Sequence, residues 1–150
     1  AGYKFNLTDL AASIGIAQLK LLKKNYLLRK KIASIYFKYL KHPFILLPTK
    51  DTKIKKNSWH LFVIRIKKSK KISRDNLNIF LAKNNIGSSV HYVPIHKHTF
   101  WKKKLKFNKI NFPNTEKAYS EILSLPIYPD LKEIDVRRVI KKILFFLKAN

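Results

Sequence analysis

A cluster of imidazole and phenol side chains between residues 91 and 98 is the densest group of residues that could do chemistry. It contains His91, Tyr92, His96 and His98. Imidazole titrates near neutral pH, so these residues could transfer protons, bind zinc or hydrogen-bond a ligand. Because zinc takes three or four ligands and the carboxylates lie elsewhere in the sequence, we expect no metal site. Two interpretations stay open: hydrogen bonds within a loop, or the polar wall of a ligand pocket.

The remaining motifs do not complete a catalytic apparatus. Trp59 and His60 precede a predicted strand, where we expect the indole to be core rather than pocket lining. The 3 glycines form no phosphate-binding loop, and the carboxylates show no paired-acid signature. The chain has no cysteine, which excludes disulfides, thiolate metal sites and cysteine nucleophiles. The residues by themselves predict a pocket wall without a catalytic centre.

One long helix is predicted ahead of the cluster, from Thr8 to about Lys41. Apolar residues at three- and four-residue steps line one of its faces: Leu10, Ile14, Ala17, Leu21, Leu28, Ile32, Ile35 and Tyr39. Thr8 is a suitable N-cap, and the residue before Pro43 is disfavoured in a helix. At ~1.5 Å per residue the helix is roughly 50 Å long, and a helix of that length usually spans more than its own domain.

Two predicted strands and a short helix follow. Residues 60–66 are rich in β-branched and aromatic residues, which predicts the first strand. Ser73 is expected to cap the helix. Its apolar face consists of Leu77, Phe80 and Leu81. Residues 88–92 predict the second strand, on which His91 and Tyr92 would point to opposite faces.

The chain is predicted to end with a loop and two helices. The loop after the cluster is expected to contain a helical turn, and Pro113 fits the first turn of a helix that runs to about Leu123. Two prolines require residues 125–129 to be extended. Asp130 and Glu133 resemble a capping box at the start of the last helix. The apolar face of that helix is Val136, Val139, Ile140, Ile143, Leu144 and Leu147.

These elements predict an α/β fold class, with a long N-terminal helix and a small α+β domain that has too few strands for a doubly wound sheet. The length of 150 residues is about one domain, and 46% hydrophobic content suits a globular protein. No apolar run approaches the ~20 residues that cross a bilayer, and no signal-peptide pattern opens the chain. We therefore expect a cytoplasmic protein without a membrane span.

The net charge allows a second class of function. The 33 Lys+Arg and 8 Asp+Glu residues give a formal net charge of +25. Such a charge predicts attraction to anionic membrane surfaces or nucleic acid, including nonspecific binding. Lysine spread along every segment, with abundant isoleucine and asparagine, is also typical of AT-rich coding sequence. The alternative to an enzyme is thus a basic α/β module that binds RNA or another anionic partner.

Four blocks of the sequence occur in an order typical of one enzyme family. The first is GYKFNLTDLAASIGIAQL at residues 2–19. The others are SWHLFVIR at 58–65, IGSSVHYVPIH at 86–96 and SLPIYP at 124–129. The first block resembles the GYNYRMTD-x-x-AA-x-G-x-x-QL segment of the DegT/DnrJ/EryC1/StrS sugar aminotransferases, and the other blocks resemble later parts of the same enzymes. Within that family, the resemblance is to enzymes that aminate C4 of UDP-linked 4-keto sugars.

The resemblance implies a fold-type I, pyridoxal-phosphate-dependent transaminase that works as a homodimer or with a separate large-domain chain. Residues 1–42 would be the domain-connecting helix and residues 43–150 the small C-terminal domain. The large domain with the cofactor lysine would precede this segment, which is therefore expected to be inactive alone. The implied substrates are an amino donor and a UDP-4-keto sugar of surface polysaccharide biosynthesis.

The resemblance also assigns binding residues, but no catalytic residue. Lys4 stands where the family has an asparagine that reaches the cofactor phosphate of the partner subunit, and lysine binds phosphate as a point charge. Asn6 replaces an arginine of the active-site rim. In the family the loop after the second strand closes over the nucleotide-sugar, which gives His91, Tyr92 and His96 a substrate-binding role.

The resemblance implies one further structural feature, because in the family a face of the long helix covers the large domain. In this chain that face should be exposed at Leu10, Ile14, Ala17 and Leu21. Three hypotheses follow for the function: part of a sugar aminotransferase, a basic RNA-binding module, or a remnant domain without present activity.

Overall fold

The long helix forms as predicted. The computed structural model describes residues 6–105 and 112–150, and in it helix α1 spans Asp9–Tyr39, 31 residues. The Thr8 hydroxyl accepts a hydrogen bond from the Ala11 amide at 3.3 Å, which confirms the N-cap. The helix ends ahead of Pro43, with the Leu40 amide bonded to the Tyr36 carbonyl at 2.8 Å. Although α1 is long, no helix among the described residues is both long and apolar enough to cross a membrane.

The sheet has three antiparallel strands in the order β1-β2-β3. They are β1 (Ile45–Leu46), β2 (Phe62–Ile66) and β3 (Ile122–Leu125). On the central strand β2, Phe62 lies opposite Leu125 and Ile64 opposite Leu123, and all four side chains are buried. The alternation of buried and half-buried residues along β2 therefore gives the sheet one core face.

Four further helices and a 3₁₀ turn complete the described part of the fold. They are α2 (Arg74–Lys83), a 3₁₀ turn (Ile95–Lys97), α3 (Thr99–Leu105), α4 (Pro113–Glu121) and α5 (Glu133–Ala149). Ser73 caps α2 as predicted, because its hydroxyl accepts from the Asn76 amide at 3.1 Å. The predicted apolar faces are confirmed by the burial of Leu77 and Leu81 on α2 and of Val136 and Ile143 on α5.

The core joins the end of α1 to the sheet and to α5. Tyr36 is fully buried, its ring lies 4.7 Å from that of Phe62, and its hydroxyl donates to the Pro126 carbonyl at 2.9 Å. Burial and the nearby Tyr128 raise the pKa of this phenol, so it remains a hydrogen-bond donor. Trp59 is 2% exposed and packs against Phe37, which confirms that it is core.

The two halves of α1 have opposite surroundings. In the C-terminal half, residues 25–39, the buried residues are Ile32, Ala33, Ile35 and Tyr36. In the N-terminal half, residues 9–24, every residue is exposed except the half-buried Ala12. The predicted exposure of Leu10, Ile14, Ala17 and Leu21 is confirmed.

The second predicted strand is wrong. Residues 88–92 form no strand, and only Ser89 makes an isolated bridge, to Ser124. Besides β1, the strand that pairs with β2 is β3. The sequence pattern predicts part of β3, up to about Leu123, as the end of the preceding helix. Helix α4 stops at Glu121 because Ile122 is already extended, with φ −70° and ψ 138°. The apolar segment that follows pairs with β2 along four register positions, whereas among residues 88–92 only Ser89 bridges to the sheet, at Ser124 of β3.

The predicted capping box of the last helix is also wrong. The N-cap of α5 is Lys132, and no side chain caps it. Asp130 lies instead in a turn, in which the Leu131 amide donates to the Tyr128 carbonyl at 3.1 Å. This turn moves the start of the helix beyond the reach of the Asp130 side chain.

Candidate functional site

The histidine cluster lies on a loop between the Ser89 bridge and α3. The loop turns at Pro94, because the Lys97 amide donates to the Pro94 carbonyl at 2.9 Å and so closes the 3₁₀ turn. The His98 ring contacts the Val93 carbonyl through Nε2 at 3.2 Å. These short-range bonds give the segment a fixed path without making it part of the sheet.

His91 is held by β3. Its Nδ1 lies 2.9 Å from the Ser124 hydroxyl oxygen, and Ser124 is only 5% exposed. The backbones of Ser89 and Ser124 exchange two hydrogen bonds, of 3.2 and 2.8 Å. The imidazole is therefore tied to the sheet edge, while the rest of the residue is half-buried.

Tyr92 stands beside His91. The two rings are 4.8 Å apart at an interplanar angle of 69°, an edge-to-face contact. The expectation that they point to opposite faces of a strand is therefore wrong, since the segment is not a strand. Tyr92 is 74% exposed, and its ring and hydroxyl are accessible to a ligand.

His96 has the opposite environment. It is 7% exposed, and its Nε2 lies 2.6 Å from Oε1 of Glu116 on α4. Lys97 reaches the other oxygen of the same carboxylate at 2.9 Å. His96 also stacks on Phe112, with ring centres 4.9 Å apart. His96 thus joins the loop to α4, and a substrate-binding role for it stays a prediction.

The Glu116 carboxylate is the acceptor of this pair of contacts. The hydrogen bond from His96, followed by that from Lys97, lowers the pKa of Glu116 below its usual value. An ionised carboxylate only accepts hydrogen bonds, so His96 Nε2 carries a proton in this contact. Glu116 therefore determines that Nε2 of His96 carries a proton, and it also holds the imidazole ring in place.

The structure brings His91 and Tyr92 together and turns His96 toward α4. Lys4 lies outside the described residues, so its predicted contact with a cofactor phosphate stays a prediction. Across residues 6–105 and 112–150, no group of three His, Cys, Asp or Glu side chains could hold a metal ion. The cluster as a whole offers hydrogen-bonding groups beside exposed rings, which suits a polar ligand with a sugar or aromatic ring.

Sequence reasoning missed Ser124 and Glu116. Ser124 belongs to the SLPIYP block, but its contact with His91 spans 33 positions. Glu116 contacts His96 across 20 positions. Neither partner has a local signature, because the contacts arise only when β3 and α4 fold against the loop. The one available signal was that carboxylates are scarce, so that each of the 8 can be expected to pair with a cation.

The described residues do not by themselves form a site for pyridoxal phosphate. A lysine that forms a Schiff base is desolvated or held next to another cation. Every lysine in the described part of the chain is exposed, apart from the half-buried Lys97 and Lys142. Lys97 is engaged by Glu116, with its Nζ 2.9 Å from Oε2. We therefore derive no chemical step through this cofactor.

Comparison with known proteins identifies one family. The model of the DegT/DnrJ/EryC1/StrS aminotransferase family matches residues 1–144. An uncharacterised protein of Methanocaldococcus jannaschii is 41% identical over 147 residues, which cover 95% of this chain and 38% of the relative. These matches favour a sugar aminotransferase segment over a basic RNA-binding module.

Two further relatives have functions in their names. The spore coat polysaccharide biosynthesis protein SpsC of Bacillus subtilis is 33% identical, over 99% of this chain and 39% of its own length. The dTDP-3-amino-3,6-dideoxy-alpha-D-galactopyranose transaminase of Aneurinibacillus thermoaerophilus is 36% identical, over 95% of this chain and 37% of its own length. The chain thus spans less than two fifths of the length of these curated relatives.

A solved structure shows the same fold. The putative sugar aminotransferase Spr1654 of Streptococcus pneumoniae, in its PLP form, superposes with a TM-score of 0.89 at 28% identity. The superposition covers 99% of this chain and 38% of that structure, and a PMP form of the same protein gives the same score. The predicted fold class, a long helix with a small mixed domain of a fold-type I transferase, is confirmed.

Proposed function

We propose that this chain, which belongs to the DegT/DnrJ/EryC1/StrS aminotransferase family, supplies the substrate-facing small domain of a sugar aminotransferase. The observation that carries the proposal is the superposition of 99% of the chain on a putative sugar aminotransferase. We assign residues 1–42 to a domain-connecting helix and residues 43–150 to the small domain. The C-terminal half of α1 then belongs to both units, because Ile32 and Tyr36 lie in the core.

The proposed substrate is a nucleotide-linked keto sugar, with a UDP-4-keto sugar as the first candidate. A relative named for a dTDP-amino sugar and another named for polysaccharide biosynthesis support a nucleotide-sugar of surface polysaccharides. The chemistry of the loop agrees, since imidazole and phenol groups hydrogen-bond diphosphate oxygens and sugar hydroxyls. His91 and Tyr92 are the proposed contacts, and the ring of Tyr92 is free to stack on a pyranose.

Pyridoxal phosphate is the proposed cofactor of the complete enzyme, because a solved relative occurs in PLP and PMP forms. When bound, it supplies the electron sink for moving an amino group from an amino donor to the sugar. The lysine and the acid that this chemistry needs are proposed to lie in the part of the enzyme that corresponds to the rest of the relatives' length. This chain's part is to hold and orient the sugar substrate.

The proposed partner of α1 is that remaining part of the enzyme, in the same chain or in a second one, within a homodimer. The N-terminal half of α1 supports this assignment, because Leu10 and Ile14, which share one face of the helix, are 74% and 57% exposed. Monomeric proteins rarely leave a contiguous apolar surface of this kind uncovered.

A chimera tests the proposal. The segment of the Aneurinibacillus transaminase that matches this chain is replaced by this chain, and transamination of the dTDP-keto sugar is followed with glutamate as donor. The expected result is measurable turnover that depends on added pyridoxal phosphate. His91→Ala in the chimera is expected to raise KM, whereas the matched control His60→Ala, at an exposed histidine outside the cluster, leaves KM unchanged.

The chimera must be folded for its result to count, so its circular dichroism and its sedimentation are measured first. A folded dimeric chimera without turnover would contradict the proposed function. Turnover that is unchanged by both His91→Ala and Tyr92→Ala would retain the aminotransferase assignment and remove the loop from the substrate site.

A further inference from the structure

Ser124 holds the histidine loop to the sheet in two ways. Its amide donates to the Ser89 carbonyl at 2.8 Å, and its carbonyl accepts from the Ser89 amide at 3.2 Å. Its hydroxyl lies 2.9 Å from Nδ1 of His91. One buried residue of β3 therefore fixes the backbone of the loop and the ring that the loop carries.

The hydroxyl proton of Ser124 decides which tautomer of His91 fits. If Nδ1 carried the ring proton and donated to the serine oxygen, the serine proton would need a further acceptor. Among the contacts of the described residues, His91 Nδ1 is the partner of this hydroxyl, and Ser124 is only 5% exposed. If the Ser124 hydroxyl instead donates its proton to Nδ1 of His91, the buried hydroxyl proton has an acceptor. The ring proton then lies on Nε2.

Nε2 of His91 is available to a ligand. None of the described residues hydrogen-bonds this nitrogen, and His91 is half-buried rather than buried. The Tyr92 ring packs edge-to-face against the imidazole, with ring centres 4.8 Å apart, and so restricts its rotation. The ring thus has one nitrogen tied to the sheet and one directed N–H donor.

We propose that Ser124 is a positioning residue that holds His91 as the Nε2–H tautomer and presents that N–H to an acceptor oxygen of the substrate. The inference rests on the proposed function of the loop. A nucleoside diphosphate suits the arrangement, because its phosphate oxygens only accept hydrogen bonds. The opposite tautomer would direct a lone pair at those oxygens and repel them.

The tautomer is measured on the chain itself by long-range ¹H–¹⁵N correlation of its imidazoles, at about pH 8, where an ordinary histidine is neutral. The wild type is expected to show His91 as a single Nε2–H tautomer, and Ser124→Ala to show a mixture. Ser124→Thr, which keeps the hydroxyl, is expected to restore the single tautomer. Ser89→Ala is the matched control, because it removes a serine hydroxyl from the other side of the same bridge without touching the ring.

Binding is tested with UDP and dTDP as probes and uridine as the control without phosphates. His91→Ala is expected to weaken diphosphate binding about three- to tenfold, the effect of one hydrogen bond. Ser124→Ala is expected to weaken it less, because part of the population keeps the Nε2–H tautomer. Ser89→Ala is expected to leave binding unchanged, which separates the effect from the general attraction of anions to a chain of charge +25.

Two failures are distinguishable. If the wild type and Ser124→Ala show the same mixture of tautomers, the inference is overturned, whatever the probes do. If the tautomer depends on Ser124 as expected but His91→Ala binds both diphosphates as tightly as the wild type, the substrate role of His91 in the proposed function is overturned. Because Ser124→Ala removes a buried hydroxyl from β3, thermal unfolding of Ser124→Ala and of Ser124→Thr is measured as well, and unchanged melting temperatures verify that the fold is intact in both variants.

Discussion

The two halves of α1 form one continuous helix, yet only one of them is packed against the rest of the described chain. The C-terminal half buries Ile32 and Tyr36 against the sheet and α5, whereas the N-terminal half exposes Leu10, Ile14 and Leu19. Both halves are rich in apolar residues, so hydrophobicity does not separate them. The difference teaches that an amphipathic pattern predicts a buried face without identifying what buries it.

Charge separates residues 9–19 from the rest of α1, in which lysine begins at Lys20. Residues 6–19 include no lysine or arginine, although these make up 33 of the 150 residues. Lysines surround the packed half, including Lys30, Lys31 and Lys38. Lysine is depleted at the centres of protein interfaces. Residues 9–19 therefore have the composition of a covered surface, in agreement with the proposal that another part of the enzyme covers them.

The largest expected difference comes from one substitution made in each half. Ile32→Ala removes a 4% exposed side chain, and we expect it to lower the free energy of unfolding by about 2–5 kcal/mol. Ile14→Ala removes a 57% exposed side chain, and we expect a change within about 0.5 kcal/mol. Urea unfolding of the isolated chain measures both. Equal losses would mean that the two halves are packed alike.

Self-association is the second expected difference. Leu10→Lys combined with Ile14→Lys should make the isolated chain sediment as a monomer over a wider concentration range, because the two lysines interrupt the exposed apolar face. Lys20→Leu is the opposite control and should increase association. Unfolding of the double variant would instead show that this face is internal core.

A single hydroxyl gives a smaller effect. Tyr36→Phe removes the hydrogen bond to the Pro126 carbonyl while it keeps the ring stacked on Phe62. We expect a loss of about 1 kcal/mol in the free energy of unfolding, the usual net value of one such bond. The same urea titration measures it, and a loss as large as that of Ile32→Ala would point to a role beyond this bond.

The smallest expected effect is on the pH dependence of stability in the packed region. Because the pKa of Glu116 is lowered in the folded protein, its ion contacts stabilise the fold above the ordinary pKa of a glutamate. That contribution is lost as the pH falls through the lowered value. Glu116→Gln should therefore flatten the acid side of a plot of melting temperature against pH, by a small amount because the group is solvent-accessible. If the melting temperature of Glu116→Gln falls at acid pH as steeply as that of the wild type, the His96 and Lys97 contacts do not stabilise the fold.

Much of the fold could be predicted from local patterns. The Thr8 cap, the period of α1, the β-branched run of β2 and the face of α5 all depend on residues close together in the sequence, and all are confirmed. The predicted strand at 88–92 is wrong because that segment bridges to β3 at Ser89 alone, whereas β3 pairs with β2 at four positions. These pairings join residues far apart in the sequence, and no local window contains them.

The site was predictable only in part, for the same reason. The types of His91, Tyr92 and His96 marked the loop, but their different surroundings depend on contacts with Ser124 and Glu116. Those contacts make His91 a half-buried ring with one nitrogen available and His96 a buried link to α4. A motif can therefore locate a site and still leave the role of each residue open.

Hydrogen exchange along α1 tests the central claim most directly, which is that this chain packs a small domain and leaves half of α1 for the rest of a sugar aminotransferase. Amide protection is measured by mass spectrometry in the isolated chain and in the folded chimera. The account predicts weak protection of residues 9–24 and strong protection of residues 28–39 in the isolated chain, with the first segment becoming strongly protected in the chimera. Equal protection of both segments in the isolated chain, or an N-terminal half that stays unprotected in an active chimera, would contradict it.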